Sequence, residues 1–98
     1  MLLLNQDEIM NRFVLWGKYC EDVLEKRKPF RNEHLERLSR LKEQGTLITL
    51  GPTKCSNFVF GIFEADSVEQ VRKLLEEDVY WRKGIWVSLD VYPWTQAF

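Results

Sequence analysis

The chain's one histidine, His34, lies on a stretch whose apolar residues recur at helical spacing. Projected as a helix, Phe30, Leu41, His34, Leu38, Arg31 and Leu35 share one stripe. Asn32, Glu33, Glu36, Arg37, Ser39, Arg40, Glu43 and Gln44 fill the remainder. His34 and Arg31 are therefore expected inside the buried stripe, one turn apart. A titratable ring and a permanent cation that face a core need a polar cavity or dedicated partners, because burying either alone is costly. The ring could exchange a proton while the guanidinium holds a carboxylate or enolate oxygen. The structural alternative is a satisfied core histidine with Arg31 snorkelling to the rim. Cys20 and Cys55 are the other nucleophile candidates, although cysteine is usually a small buried hydrophobe.

The elements that must position these residues follow from pattern. Phe13 to Tyr19 is aromatic and β-branched and reads as a strand. Glu21 to Pro29 is a charged connection, and Pro29 suits a helix entry. The helix with His34 ends at Gly45, where a C-terminal cap is expected. Thr46 to Leu50 is a short strand closed by the turn pair Gly51-Pro52, and Asn57 to Glu64 is a longer strand. Ser67 to Gln70 matches a capping box, followed by Val68, Val71, Leu74 and Leu75 at helical spacing. Asp78 to Gly84 reads as a connection, Ile85 to Val91 as the last strand, and Tyr92 to Phe98 as a tail.

The order βαββαβ in a domain this small predicts a ferredoxin-like α+β sandwich, with an antiparallel sheet in order 4-1-3-2 and both helices on one face. Residues 1–12 are expected as an N-terminal tail and 13–98 as the single domain. That topology gathers Cys20, Arg31, His34, Gly51, Pro52, Cys55, Asp78, Tyr80 and Trp81 at one edge. His34 and Asp78 are the pair expected to meet. Alternation also sets Val14 and Trp16 opposite Phe13 and Leu15, Phe58 and Phe60 opposite Val59 and Phe63, and Trp86 opposite Ile85 and Val87. Both sheet faces are then apolar, while two helices cover only one. A homodimer that stacks two sheets, burying Trp16 or Trp86, is the expected solution.

Composition excludes several classes. The 98 residues hold one core, and 45% hydrophobic and 13% aromatic content argue against disorder. The formal charge of −1 and a single basic run, Lys26-Arg27-Lys28, are not a nucleic-acid footprint. Neither a metal-ligand spacing nor a glycine-rich phosphate loop is present, so no metal and no cofactor are expected. The opening MLLLNQDEIM lacks the basic start and long apolar core of a signal peptide, and no stretch is long and apolar enough to span a membrane. Two cysteines without CxxC spacing fit reduced thiols, and a cytoplasmic location is expected.

R-x-x-H-L at Arg31, His34 and Leu35, G-x-L-I-T-x-G-P from Gly45 to Pro52, and D-x-Y-x-x-x-G at Asp78, Tyr80 and Gly84 stand in this order along the chain. Taken together they resemble the YCII-related, or YciI-like, family. Trp16 to Asp22, with Trp81 and Ile85-Trp86, resembles a branch common in photosynthetic bacteria. The resemblance spans about Phe13 to Phe98 and implies a dimeric α+β barrel with a histidine–aspartate site, which maps onto His34 and Asp78. Most relatives carry proline directly after the aspartate, where this chain has Val79.

A carboxylate bonded to one imidazole nitrogen fixes the tautomer and favours the charged ring, leaving the other nitrogen to take or give a proton. With Arg31 this suits isomerisation or elimination on a small unsaturated acid, lactone or hydroxylated ring, without a cofactor. Tyr80, Trp81 and Trp86 could line a flat pocket or simply pack in the core or the dimer. Tyr19 could donate to a ligand oxygen, and Pro52 lies at the same edge. Asp78 could instead be a helix-end residue that pairs with Arg31 or Arg82. The remaining alternatives are a module that binds a small ligand without turnover, and a plain dimerisation unit.

Overall fold

The computed structural model describes residues 11–98. Of the expected N-terminal tail only Asn11 and Arg12 fall among them, and Arg12 already begins the first strand. In chain order the elements are β1 (Arg12–Tyr19), α1 (Val23–Lys26), a 3-10 turn (Lys28–Phe30), α2 (Arg31–Glu43), β2 (Leu47–Pro52), β3 (Phe58–Glu64), α3 (Val68–Glu76), α4 (Val79–Arg82) and β4 (Trp86–Trp94). The strands form one antiparallel sheet in the order β2-β3-β1-β4, the ferredoxin-like topology expected.

Local chemistry explains the element ends. Gly45 follows α2 at φ 83°, a left-handed position where glycine avoids a Cβ clash, and Thr46 N–H returns to the Leu41 carbonyl at 3.0 Å. Ser67 caps α3 by accepting from Gln70 N–H at 3.1 Å, while the Gln70 amide oxygen accepts from Asp66 N–H at 2.8 Å. Several boundaries depart from the pattern, and the connection expected from Glu21 to Pro29 holds α1 and most of the 3-10 turn. Gly51 and Pro52 extend β2 in register with Phe60 and Val59 instead of turning, β4 runs on to Trp94, and Asp78 to Gly84 contains the short α4.

The core fills the helix side of the sheet with Phe13, Leu15, Leu47, Val59, Phe63, Ile85, Trp86 and Leu89 against Leu41, Val71, Leu75, Val79 and Tyr80. Helix α2 packs over β2, α3 over β4, and α4 sits between α2 and β4. On the opposite face Val14 and Phe58 are half-buried and Trp16, Phe60, Val87 and Tyr92 exposed, with Trp16 stacked on Phe58 at 5.1 Å. Trp86 is the exception to strict alternation. Lys18 pairs with Ser88, but Tyr19 pairs with Trp86, so a bulge at Val87 turns Trp86 into the core, 1% exposed, beside Leu89. It therefore cannot be an anchor of the open face, as strict alternation would have it.

Candidate active site

Asp78 follows α3 in extended backbone and caps α4, its Oδ1 accepting from Tyr80 N–H at 2.9 Å. This is a different place from the helix-end position considered above. Val79 takes the first helical position, the one proline favours, and is itself buried. The aim of Asp78 is thus set by its cap and its partners without proline. His34 rises from the first turn of α2, and its Nδ1 lies 2.7 Å from Asp78 Oδ1. The two are 44 positions apart in the chain and only 4% and 0% exposed. The expected pair is present.

A third partner comes from the face of α2 that the helical projection turned outward. Arg37 places Nη1 3.2 Å from Asp78 Oδ2 and donates from Nη2 to the Leu74 carbonyl at 2.7 Å. Glu77 adds a longer ion pair at 3.7 Å. The inward face of α2 is therefore His34, Arg37, Leu38 and Leu41, while Arg31 and Leu35 are exposed. Arg31 was expected in the buried stripe. The face turns because a carboxylate from another segment stabilises a half-buried guanidinium at Arg37, a partner that no helical window contains. The i, i+3 spacing of Arg37 from His34 was the available signal.

The imidazole packs against two aromatic rings. Tyr80 stacks on it at 3.6 Å and 7°, and Trp86 stands perpendicular to both rings, at 5.2 Å from His34 and 5.6 Å from Tyr80. His34 Nε2 and the Tyr80 hydroxyl have no hydrogen-bond partner among the described residues, and the Tyr19 hydroxyl faces the Trp86 indole N–H. The Trp86 indole N–H is sealed without a completed hydrogen bond. Burial raises the Tyr19 phenol above its ordinary value of 10.0, opposed by the Trp86 N–H and then by the charges of Arg27 and Arg31. Burial raises Tyr80 in the same way, against Arg27 foremost, with Arg31 also opposing. Both phenols therefore stay protonated near neutral pH, as donors at the edge of the dyad.

The remaining expected residues are placed elsewhere in the local frame. Trp81 is half-buried against the core, and Pro52 is exposed at the end of the edge strand β2. Cys20 packs against the core, and Cys55 lies exposed in the β2–β3 turn, 3.2 Å from the Thr53 hydroxyl, which lowers its thiol pKa. Two concavities lie away from His34. One of about 520 Å³ is lined by Arg12, Phe13, Trp94 and their neighbours, and one of about 330 Å³ by Leu35, Leu38, Leu47 and their neighbours. Among the described residues no group of three His, Cys, Asp or Glu side chains is placed to hold a metal ion, and no helix is long and apolar enough to cross a membrane.

A ferredoxin-like α+β domain with a buried histidine–aspartate pair defines the class. The YCII-related domain model matches residues 11–95, and the chain belongs to that family. It is 29% identical over 96 residues to Protein YciI of Escherichia coli O6:H1, covering 88% of this chain and 98% of the relative, and matches Protein YciI of Shigella flexneri to the same extent. Among solved structures it is similar to 5-chloro-2-hydroxyhydroquinone dehydrochlorinase, TftG, of Burkholderia phenoliruptrix AC1100, in complex with 2,5-dihydroxybenzoquinone. That likeness has a TM-score of 0.75 at 25% identity and covers 88% of this chain and 95% of that one. A dimeric ferredoxin-like protein from an uncultured marine organism shares the fold at TM-score 0.53 and 17% identity, covering 98% and 96%.

Proposed function

We propose that this chain is an acid–base enzyme of the lyase or isomerase type, acting without a cofactor on a small planar enol or hydroxylated ring. The observation that carries the reading is the buried 2.7 Å bond between His34 Nδ1 and Asp78, with Nε2 left without a partner among the described residues. With Nδ1–H donated to the carboxylate, Nε2 bears the free lone pair and accepts a proton from a ring hydroxyl. The oxygen's electron pair moves into the ring as a carbonyl forms. The imidazolium then returns its proton at a ring carbon, which isomerises the ring to its keto form; where that carbon carries chlorine, loss of a second hydroxyl proton expels chloride with its bonding electrons and leaves the quinone. The Tyr19 and Tyr80 hydroxyls donate to ligand oxygens, and Arg31 supplies positive charge at the entrance. Trp81 and Pro52 are assigned no ligand contact.

The likeness to a hydroquinone dehydrochlorinase supports this substrate class. The test is to offer the purified chain chlorinated hydroxyhydroquinones and to follow quinone absorbance and chloride release. Turnover that disappears in His34→Gln is expected. If no such ring is turned over and none raises the melting temperature, the reading fails. The near-complete burial of His34, 4% exposed, favours one second reading, a dimerisation unit that keeps the pair for stability. Absence of both turnover and binding would select it.

We also propose that two copies stack through the open sheet face. Trp16, Phe60, Val87 and Tyr92 leave an apolar area there that water alone would cover, and a neighbour of this fold is described as dimeric. Trp16→Lys should convert the dimer to a folded monomer in sedimentation. A monomeric wild type at micromolar concentration rejects the idea.

A further inference from the structure

Arg37 is the partner of the buried pair to which the acid–base reading gives no task. Its side chain is 20% exposed and bridges α2 to the end of α3 through Asp78, the Leu74 carbonyl and Glu77. Asp78 is 0% exposed, so its negative charge needs a compensating positive one close by. Two groups are in reach. His34 can supply the charge by taking a second proton, whereas Arg37 carries it permanently.

The groups facing the imidazole decide between them. Asp78 and Tyr80 approach from the segment after α3 and Trp86 from β4, while Tyr19 at the end of β1 lies beside Trp86. Arg27 and Arg31 add positive charge around both phenols, and Arg37 acts through Asp78. Asp78 is the one acid bonded to the ring among the described residues, and Arg37 pairs with it at 3.2 Å while keeping a longer contact to the exposed Glu77. A second proton on His34 would add a second cation to a carboxylate that is already paired.

We propose that Arg37 is a positioning residue that neutralises Asp78, so that His34 rests as the neutral Nδ1–H tautomer with Nε2 free to accept a proton. The purpose of this arrangement rests on the acid–base reading, but the proton count on the ring is measured without any substrate. Arg37 also fixes Asp78 Oδ2, which leaves Oδ1 to serve the His34 and Tyr80 N–H groups together.

The test uses the full chain labelled with the heavy nitrogen isotope. With one histidine present, two-bond proton–nitrogen correlations report which ring nitrogens carry a proton. Near neutral pH the wild type should show a protonated Nδ1 and a bare Nε2. Arg37→Gln, which keeps amide donors but removes the charge, should leave most rings doubly protonated, and Arg37→Lys should restore the wild-type pattern. On a hydroquinone that is turned over, Arg37→Gln should lower kcat about tenfold or more while KM moves less than about threefold. A doubly protonated ring in the wild type overturns the proposal and needs no variant to fold. An unchanged ring in Arg37→Gln, or an Arg37→Lys ring that matches the Gln variant, overturns it as well. Lost turnover with an unchanged ring removes this role from Arg37 and leaves the acid–base reading standing. The expected ring pattern without turnover of any hydroquinone upholds the proposal and sinks that reading.

Discussion

Replacing Asp78 with asparagine probes the centre of the site at almost constant volume. The carboxylate has three donors to satisfy: His34 Nδ1 at 2.7 Å, Tyr80 N–H at 2.9 Å and Arg37 Nη1 at 3.2 Å. The amide offers one oxygen and one NH2. If the oxygen keeps the His34 and Tyr80 N–H groups, the NH2 meets the Arg37 guanidinium, donor against donor. The flipped amide loses the other two instead. Either way Arg37 loses its nearest counter-charge. Breaking a buried ion pair from one side costs about 3–5 kcal/mol. The lower end applies here, because Arg37 is 20% exposed and retains Glu77 and the Leu74 carbonyl. About 3 kcal/mol corresponds to a fall of roughly 12–24 °C in melting temperature for a domain of this size. Urea unfolding and calorimetry on the purified variant measure it, and Asp78→Ala, which also removes the α4 cap, should cost about 1 kcal/mol more. Turnover should drop by about a hundredfold or more, as the tautomer is no longer held. A variant within about 1 kcal/mol of wild type with its turnover intact would refute the claim that Asp78 is a buried charge paired to His34.

Burial raises both Tyr19 and Tyr80, so the unfolded chain loses these protons first as pH climbs above 10.0. Stability is therefore unaffected by them below that value and falls above it. The double variant Tyr19→Phe with Tyr80→Phe should flatten the alkaline decline in melting temperature, and an equally steep decline would contradict the burial argument. A Cβ on Gly17 would lie 2.7 Å from the Ser88 carbonyl and 2.9 Å from Val59, so Gly17→Ala should destabilise by about 1–3 kcal/mol in urea unfolding. An unchanged midpoint would show that β1 and β4 can part at little cost. The Thr53 hydroxyl lowers the pKa of the exposed Cys55 thiol, which should react with a disulfide reagent well before Cys20 and more slowly in Thr53→Val. Equal rates for the two thiols would contradict this.

Most of the frame is local and was legible from residue order. The period-two alternation of β1 and β3 correctly divides Phe13, Leu15, Val59 and Phe63 from Val14, Trp16, Phe58 and Phe60, because each side chain's face follows from its place on the pleat. Ser67 and Gly45 mark helix ends through bonds made within a few residues. His34 falls on the buried face of its helix, and the strand order then brings it to Asp78. These features depend on neighbours along the chain, or on the few topologies that such an order permits.

Other features depend on partners that no window of sequence contains. The bulge at Val87 exists because β4 pairs with β1 one residue out of step beside Tyr19, and that slip alone turns Trp86 from the open face to the imidazole. Arg37 reads as a solvated residue until a carboxylate 41 positions away balances its charge, and the same contact rotates Arg31 outward. Periodicity reports which face of an element is apolar. Which charge finds a buried partner, and where a strand slips by one residue, are set when the elements pack. The His34–Asp78 pair was therefore visible in the sequence, while the contacts that Arg37 and Trp86 make to it belong to the tertiary structure.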